Sequence, residues 1–286
     1  MAFDIYQAVT DRIISEMENG IIPWQKPWNG CPEGAYNRVT KRPYSFINQL
    51  LLKHADAYLT FKQVQEMGGK VKKGAKAEMV VFWKPMVKEE LNDQGEPEQK
   101  TYFILRYYNV FWIGDTEGIP ELETGVRENT PIETAEGYIE GYINSVNAPL
   151  FKNTEPSDKA YYSPSRDAVV VPMMDQYEHV EEYYSTVFHE LTHSTGHFSR
   201  LDRGLERSAG FGSESYSKEE LIAELGAAML VNMAGIETTK SFRNSTAYLQ
   251  NWLTVLRNDK KFIVSAASKA EKAVRYILGE TGEKAA

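Results

Sequence analysis

The sequence predicts an α+β protein of two domains: an N-terminal α+β domain, then a mostly helical domain with a small β-sheet. Three observations carry this reading. A length of 286 residues allows two domains of roughly 150 residues each. Helical apolar periods stand at both ends of the chain, with β-rich runs between them. The composition, 42% hydrophobic, 25% charged and 12% aromatic, lies in the range of soluble globular proteins and outside that of disordered, collagen-like or coiled-coil chains. No run approaches the roughly 18 apolar residues that a membrane span needs. The start, Met1 to Tyr6, lacks the basic and apolar regions of a signal peptide, so a cytoplasmic protein is expected. The single cysteine, Cys31, excludes an internal disulfide and suits a reducing compartment.

Taken in order, Ile5, Val9, Ile13 and Met17 recur every four residues, Asp4 stands ready to cap and Gly20 to close, which predicts a first helix of about four turns. A proline-stiffened loop, Pro23-Trp24-Gln25-Lys26-Pro27-Trp28, follows. The runs Glu78–Trp83 and Thr101–Trp112 are rich in Val, Ile, Phe, Tyr and Trp and predict strands, with Glu89–Lys100 as the turn between them. Asp115–Asn129 is acidic and glycine-rich without an apolar period. It sets a first domain over 1–120, a linker over 121–131 and a second domain over 132–286. Thr130 and Pro131 then open a helix whose apolar face is Ile132, Ala135, Ile139, Tyr142 and Val146. Tyr161-Tyr162, the turn Ser163–Asp167 and Ala168–Val171 read as a β-hairpin. Helices are expected over Val180–Thr195, Ser217–Met233, Ser245–Arg257 and Phe262–Leu278.

The formal net charge of −8 hides a reversal. Between Asn37 and Lys88 stand eleven basic residues against three acidic ones, 11 − 3 = +8. A basic stretch in an acidic chain suits a polyanionic partner, because each neutralised phosphate releases counterions. Aromatics lie in or beside it: Trp24, Trp28, Tyr36, Tyr44, Phe46, Tyr58, Phe61, Phe82 and Trp83. Cations that track phosphates and aromatic faces that stack unpaired bases are the means by which single-stranded nucleic acid is held without sequence preference. The candidates for this role are Trp24, Lys26, Trp28, Arg38, Lys41, Arg42, Tyr44, Lys62, Lys70, Lys72, Lys73 and Lys76.

The chemistry-bearing motif is His189-Glu190-Leu191-Thr192-His193, an H-E-x-x-H in a helical segment. Val180, Tyr184, Val187 and Leu191 form the apolar stripe, while the two histidines lie nearly opposite, one turn apart, able to reach one Zn²⁺ or another divalent ion. Zinc lowers the pKa of a bound water towards ~7, and Glu190 would take its proton and relay it to a leaving amine, the chemistry of peptide-bond hydrolysis. A third ligand is needed. His197 is a candidate only if the helix breaks at Gly196, since eight helical residues separate it from His189 by about 12 Å. Glu220 and Glu224, one turn apart on the next helix, resemble the gluzincin arrangement, in which such a pair supplies a ligand and an acid that orients a ligand histidine. Glu220 is therefore expected as ligand and Glu224 as its support. A capping box between Ser217 and Glu220 would promote Glu224 instead. Tyr161, Tyr162, Tyr216 and His197 are candidates for stabilising an oxyanion.

The order of motifs along the chain is more specific than any one of them. Asp4-Ile5-Tyr6-Gln7, Pro23–Trp28, Arg42-Pro43-Tyr44, Leu59-Thr60-Phe61-Lys62-Gln63, Gly68–Gly74, His189–His197 and Glu219–Leu225 together resemble the ArdC-type antirestriction proteins of plasmids and other mobile elements. The resemblance implies an N-terminal domain that binds single-stranded DNA, a C-terminal zincin-like metallopeptidase domain, and protection of incoming DNA from host restriction; the H-E-x-x-H site adds a host protein as a candidate substrate. Two other readings stay open. One is a DNA-binding protein whose metal is purely structural; the other is a cytosolic zinc protease that binds no DNA.

Overall fold

The computed structural model describes residues 3–19, 21–25, 34–91, 96–120, 131–146, 150–153, 155–157, 159–205, 214–236 and 245–280. Gly20, Lys26, Trp28, Cys31 and Thr130 lie outside the described residues.

The first helix, α1 (Ile5–Glu18), starts at Asp4, whose carboxylate accepts the Gln7 backbone N–H at 3.1 Å. Val9, Ile13 and Met17 are at most 1% exposed, the stripe that the four-residue spacing predicts. Then come β1 (Tyr36–Asn37), α2 (Phe46–Leu51), β2 (Ala57–Leu59), α3 (Phe61–Glu66), β3 (Lys70–Val71), β4 (Glu78–Leu91), β5 (Pro97–Trp112) and β6 (Thr116–Glu117). Four strands form a sheet in the order β1-β2-β5-β4, with β1 and β2 parallel and the other pairs antiparallel; β3 and β6 pair separately. The β4–β5 ladder runs from Glu78↔Val110 to Leu91↔Pro97, so strand replaces much of the turn expected over Glu89–Lys100. Side chains along the ladder support the extension: Glu90 accepts the hydroxyl of Tyr102 from the facing strand at 2.7 Å and the ammonium of Lys88, two residues back on its own strand, at 3.0 Å.

The second region holds α4 (Pro131–Val146), β7 (Leu150–Lys152), β8 (Tyr161–Ser163), β9 (Ala168–Val171), α5 (Val180–Ser194), α6 (Glu214–Ala234), α7 (Ser245–Asn258) and α8 (Phe262–Ile277). Its sheet has the order β7-β9-β8; the hairpin β8–β9 is antiparallel and β7 joins parallel to β9. On α4 the buried face is Ala135, Ile139 and Tyr142, whereas Ile132 is 49% exposed, because the helix's first turn stands clear of the core. Helix α6 begins three residues before Ser217, so this serine sits inside the helix and the capping box with Glu220 does not form.

Apolar packing joins the two regions. One cluster takes Val9 and Ile13 from α1, Leu50 from α2, Val81 and Leu105 from the base of the long hairpin, Leu221 and Leu225 from α6, Trp252 and Leu256 from α7, and Ile263 from α8. Burial of each such side chain contributes about 1.5–3 kcal/mol, so a continuous core holds the N-terminal helices to the C-terminal ones. A second cluster lies among α4, α5, α6, β9 and the end of α8, under the site described next. Among the described residues no helix is long and apolar enough to cross a membrane.

Candidate functional site

The site lies where α5 crosses α6. Tyr184, Val187, Phe188 and Leu191 anchor α5 in the second cluster, which turns His189 and His193 toward α6. Gly226 lets the helices approach: a Cβ there would come within 2.6 Å of Cγ2 of Thr192, a fully buried β-branched side chain with little room to move. This closeness brings three glutamates of α6 onto the two imidazoles.

The Nε2 atoms of His189 and His193 are 3.1 Å apart. Glu220 closes the triangle, its carboxylate 3.3 Å from His193 Nε2 and 3.5 Å from His189 Nε2. Tetrahedral ligands at about 2.0–2.1 Å from one ion lie roughly 3.4 Å from each other, so the donor set fits a divalent cation with a fourth position left open. Among the described residues, His189, His193 and Glu220 are the cluster of donors able to hold a metal. Behind each imidazole stands another carboxylate: Glu224 is 3.6 Å from His189 Nδ1 and Glu219 is 3.3 Å from His193 Nδ1. Such partners fix which ring nitrogen carries the proton and which way the ring faces. Glu224 therefore meets His189 on the nitrogen that faces away from the donor triangle.

Glu219 and its own anchor Arg203 have no precedent in the motif spacing. The Arg203 guanidinium donates to Glu219 Oε1 at 2.6 Å, to Thr195 Oγ1 at 2.7 Å and to the Thr192 carbonyl at 2.8 Å. Gly196 makes room for it, since a Cβ at that position would lie 2.9 Å from Arg203 Cζ. The turn after α5 is thus stapled to α6. His197 follows that turn, 7% exposed, with its Nδ1 2.7 Å from Ser199 Oγ and 3.9 Å from Asp167, and it is not among the grouped donors. Tyr162 donates to Asp167 at 2.7 Å, and Tyr161 accepts from Arg166 at 2.8 Å; both hydroxyls serve the hairpin turn. Glu190, next to the first histidine, is buried at 7% exposure, and among the described residues no donor is hydrogen-bonded to its carboxylate.

The charges are coupled. Burial opposes protonation of His193, but hydrogen bonds to Glu219 and Glu220 outweigh it and push the imidazole up to about 10. Burial raises Glu220, yet its bonds to His189 and His193 hold it well below the usual carboxylate range. Burial pushes Glu224 up, and Glu219, despite its burial, is held down by His193 and Arg203. In the metal-free protein the raised His193 value stabilises the fold fully below pH ~6.5 and is lost as pH rises through about 10. A cation must displace that proton. We expect zinc loading at pH 7.5 to release roughly one proton or more, and apparent affinity to fall as pH drops. Calorimetry in two buffers of different ionisation enthalpy measures this, and zinc uptake without proton release would contradict it.

The proposed DNA contacts divide. Lys41, Arg42, Lys62, Lys70, Lys72, Lys73 and Lys76 are exposed, and Tyr44 is half-buried. Lys72 donates to the Gly114 carbonyl at 2.7 Å and Lys62 pairs with Glu66 at 3.4 Å. Trp24 is a correction: it is 2% exposed, edge-on to Trp252 with ring centroids 5.6 Å apart, and no base can reach it. Arg38 is a second, 8% exposed with its guanidinium donating to the Pro120 carbonyl at 2.9 Å. Lys26 and Trp28 lie outside the described residues.

Comparison with known proteins gives two matched regions. Residues 3–111 match the N-terminal domain of anti-restriction factor ArdC, and residues 139–269 match a zincin-like metallopeptidase. The crystal structure of the metal-free antirestriction ArdC protein from the R388 plasmid superposes with a TM-score of 0.73 at 34% identity, over 96% of this chain and 97% of that one. The chain belongs to the ArdC-type antirestriction proteins. A Mn(II)-bound crystal structure of the same ArdC protein has a TM-score of 0.75 at 32% identity, covering 99% of this ArdC-type chain and all of the other. An uncharacterized protein, y4eC of Sinorhizobium fredii, is 31% identical over 98% of this chain and 93% of its own length. DNA primase TraC of Escherichia coli is 32% identical over 96% of this chain, which spans only 27% of the primase.

Proposed function

We propose that this ArdC-type protein binds single-stranded DNA without sequence preference, protects incoming DNA from host restriction, and holds zinc or another divalent cation between His189, His193 and Glu220. The observation that carries the metal reading is the triangle of donor atoms at 3.1, 3.3 and 3.5 Å, with a carboxylate behind each ring. The Mn(II) of the related crystal structure supports it, as the ArdC N-terminal match and the exposed lysines support the DNA reading.

A cation bound here supplies Lewis acidity, polarising a carbonyl oxygen and acidifying water in the site. Glu190 is the catalytic base in this reading: its carboxylate takes the proton of the attacking water and returns it to the leaving amine. His189 and His193 hold their Nδ1 protons toward Glu224 and Glu219, which keeps both Nε2 lone pairs aimed at the open centre. The substrate in this reading is a polypeptide.

Glu190→Gln separates chemistry from binding. The variant should keep zinc content and single-stranded DNA affinity while hydrolysis of casein falls by about 10²–10⁴-fold, the usual contribution of a positioned acid–base group. Equal hydrolysis by the variant would remove Glu190 from the chemistry. A zinc-loaded wild-type protein inert toward unfolded polypeptides would leave the cation a purely structural part.

A further inference from the structure

A groove of about 690 Å³ runs between the edge strand β4, the chain around α2 and the outer face of α8. Its volume lies within the roughly 300–1,000 Å³ typical of ligand sites. Its walls include Arg42, Tyr44, Phe82, Trp83, Tyr108 and Lys272. Phe82 and Tyr108 are each 37% exposed, and their rings lie 5.6 Å apart on one face of the ladder, whereas Trp83 turns to the other face, 6.5 Å from the Tyr6 ring. Large apolar rings grouped in an open groove mark a binding surface rather than an idle one.

Charge says what binds. Arg42 and Lys272 are exposed and, among the described residues, have no carboxylate in ion-pair distance. The one acid of the groove, Glu271, is already engaged by the Phe46 backbone N–H at 3.3 Å and by Arg275 at 3.0 Å. Arg106, opposite Phe82 in the ladder, adds an exposed cation on the same face. Aromatic faces beside unpaired cations are the pairing that single strands require, and a duplex would present no free base faces to them. Lys272 stands out because it lies beyond both family-matched regions and is supplied by the last helix.

Resting on the single-stranded DNA reading above, we infer that this groove seats bases of the bound strand. Phe82 and Tyr108 are the stacking faces, and Arg42 and Lys272, from opposite ends of the chain, are the phosphate contacts. The DNA footprint therefore straddles both regions rather than ending with the N-terminal one.

The test is anisotropy of a labelled 20-nucleotide oligo(dT) with the full-length protein at several salt concentrations. Lys272→Ala should weaken binding and flatten the slope of log K against log salt by about 0.7, one phosphate contact on a single strand. Phe82→Ala with Tyr108→Ala should weaken binding roughly tenfold with the slope unchanged, because stacking carries no counterions. Lys272 is exposed, so its variant should melt as the wild type does, and Phe82→Leu with Tyr108→Leu, which keeps apolar bulk but no ring face, should show the same loss of binding as the alanine pair. Photocrosslinking of bromodeoxyuridine oligonucleotides to wild-type protein should label residues 78–91 and 262–277. Wild-type binding with both variants within about twofold of it and no label on α8 would overturn the groove alone. A wild-type protein that binds no oligo(dT) would overturn the single-strand reading and the groove with it.

Discussion

Glu220→Ala is expected to strip the protein of its cation at zinc concentrations that saturate the wild type. Zinc held by four ligands in small folded sites is worth about 10–16 kcal/mol, or roughly 3 kcal/mol per ligand, which corresponds to a loss of at least ~10² in affinity. The carboxylate reaches both Nε2 atoms, at 3.3 and 3.5 Å, so no neighbouring side chain substitutes for it. Glu224 faces His189 Nδ1 at 3.6 Å, on the far side of the ring. Glu224→Gln should therefore keep the cation and its coordination, with affinity reduced by at most the 10–100-fold usual for a residue that orients a ligand. Cobalt substitution reads the difference directly: the visible bands of a tetrahedral site should vanish in Glu220→Ala and persist in Glu224→Gln. The reverse pattern would make Glu224 the ligand, and retention by both variants would restore His197 as a candidate.

What the sequence makes legible is what short-range geometry determines. The i, i+4 histidines face one way because a helix repeats every 3.6 residues, and α1, α5 and the hairpin β8–β9 follow from periods and turn chemistry within a few residues of each other. Glu220 and Glu224 are legible for the same reason, as two carboxylates a turn apart on one helix. What stays hidden depends on contacts between distant segments. Trp24 reads as an exposed aromatic beside a lysine, but its partner Trp252 is contributed by α7 and the shared core swallows it. Ser217 reads as a helix start because serine caps well, yet α6 begins a turn earlier. The acid behind His193 escapes because Glu219 sits beside the expected ligand, where a surface position is the ordinary reading, and its anchor Arg203 comes from a loop with no period at all. Lys272 escapes likewise, since nothing in the sequence of α8 places it across a groove from Phe82.

Arg203→Ala should be the most destabilising single change near the site. The side chain is only 6% exposed, and its guanidinium is shared among Glu219, Thr195 and the Thr192 carbonyl. Removing it leaves the buried Glu219 carboxylate with His193 as its remaining charged partner and the Thr192 carbonyl without its guanidinium donor, a defect that costs about 3 kcal/mol, where a surface pair would cost under 1. For a protein of this size the melting temperature should drop by roughly 10 °C. Lysine cannot rescue it, because a single ammonium does not reproduce the planar fork that spans three acceptors. Zinc affinity should fall a further 10–100-fold, since His193 loses the support that Glu219 gives its Nδ1. The double variant Arg203→Ala with Glu219→Gln distinguishes a staple from a ligand support: neutralising the stranded charge should recover part of the melting temperature while affinity stays low. A single variant that melts within about 2 °C of wild type would show that Glu219 does not depend on Arg203. Full recovery of zinc binding in the double variant would show that His193 holds its orientation without either residue.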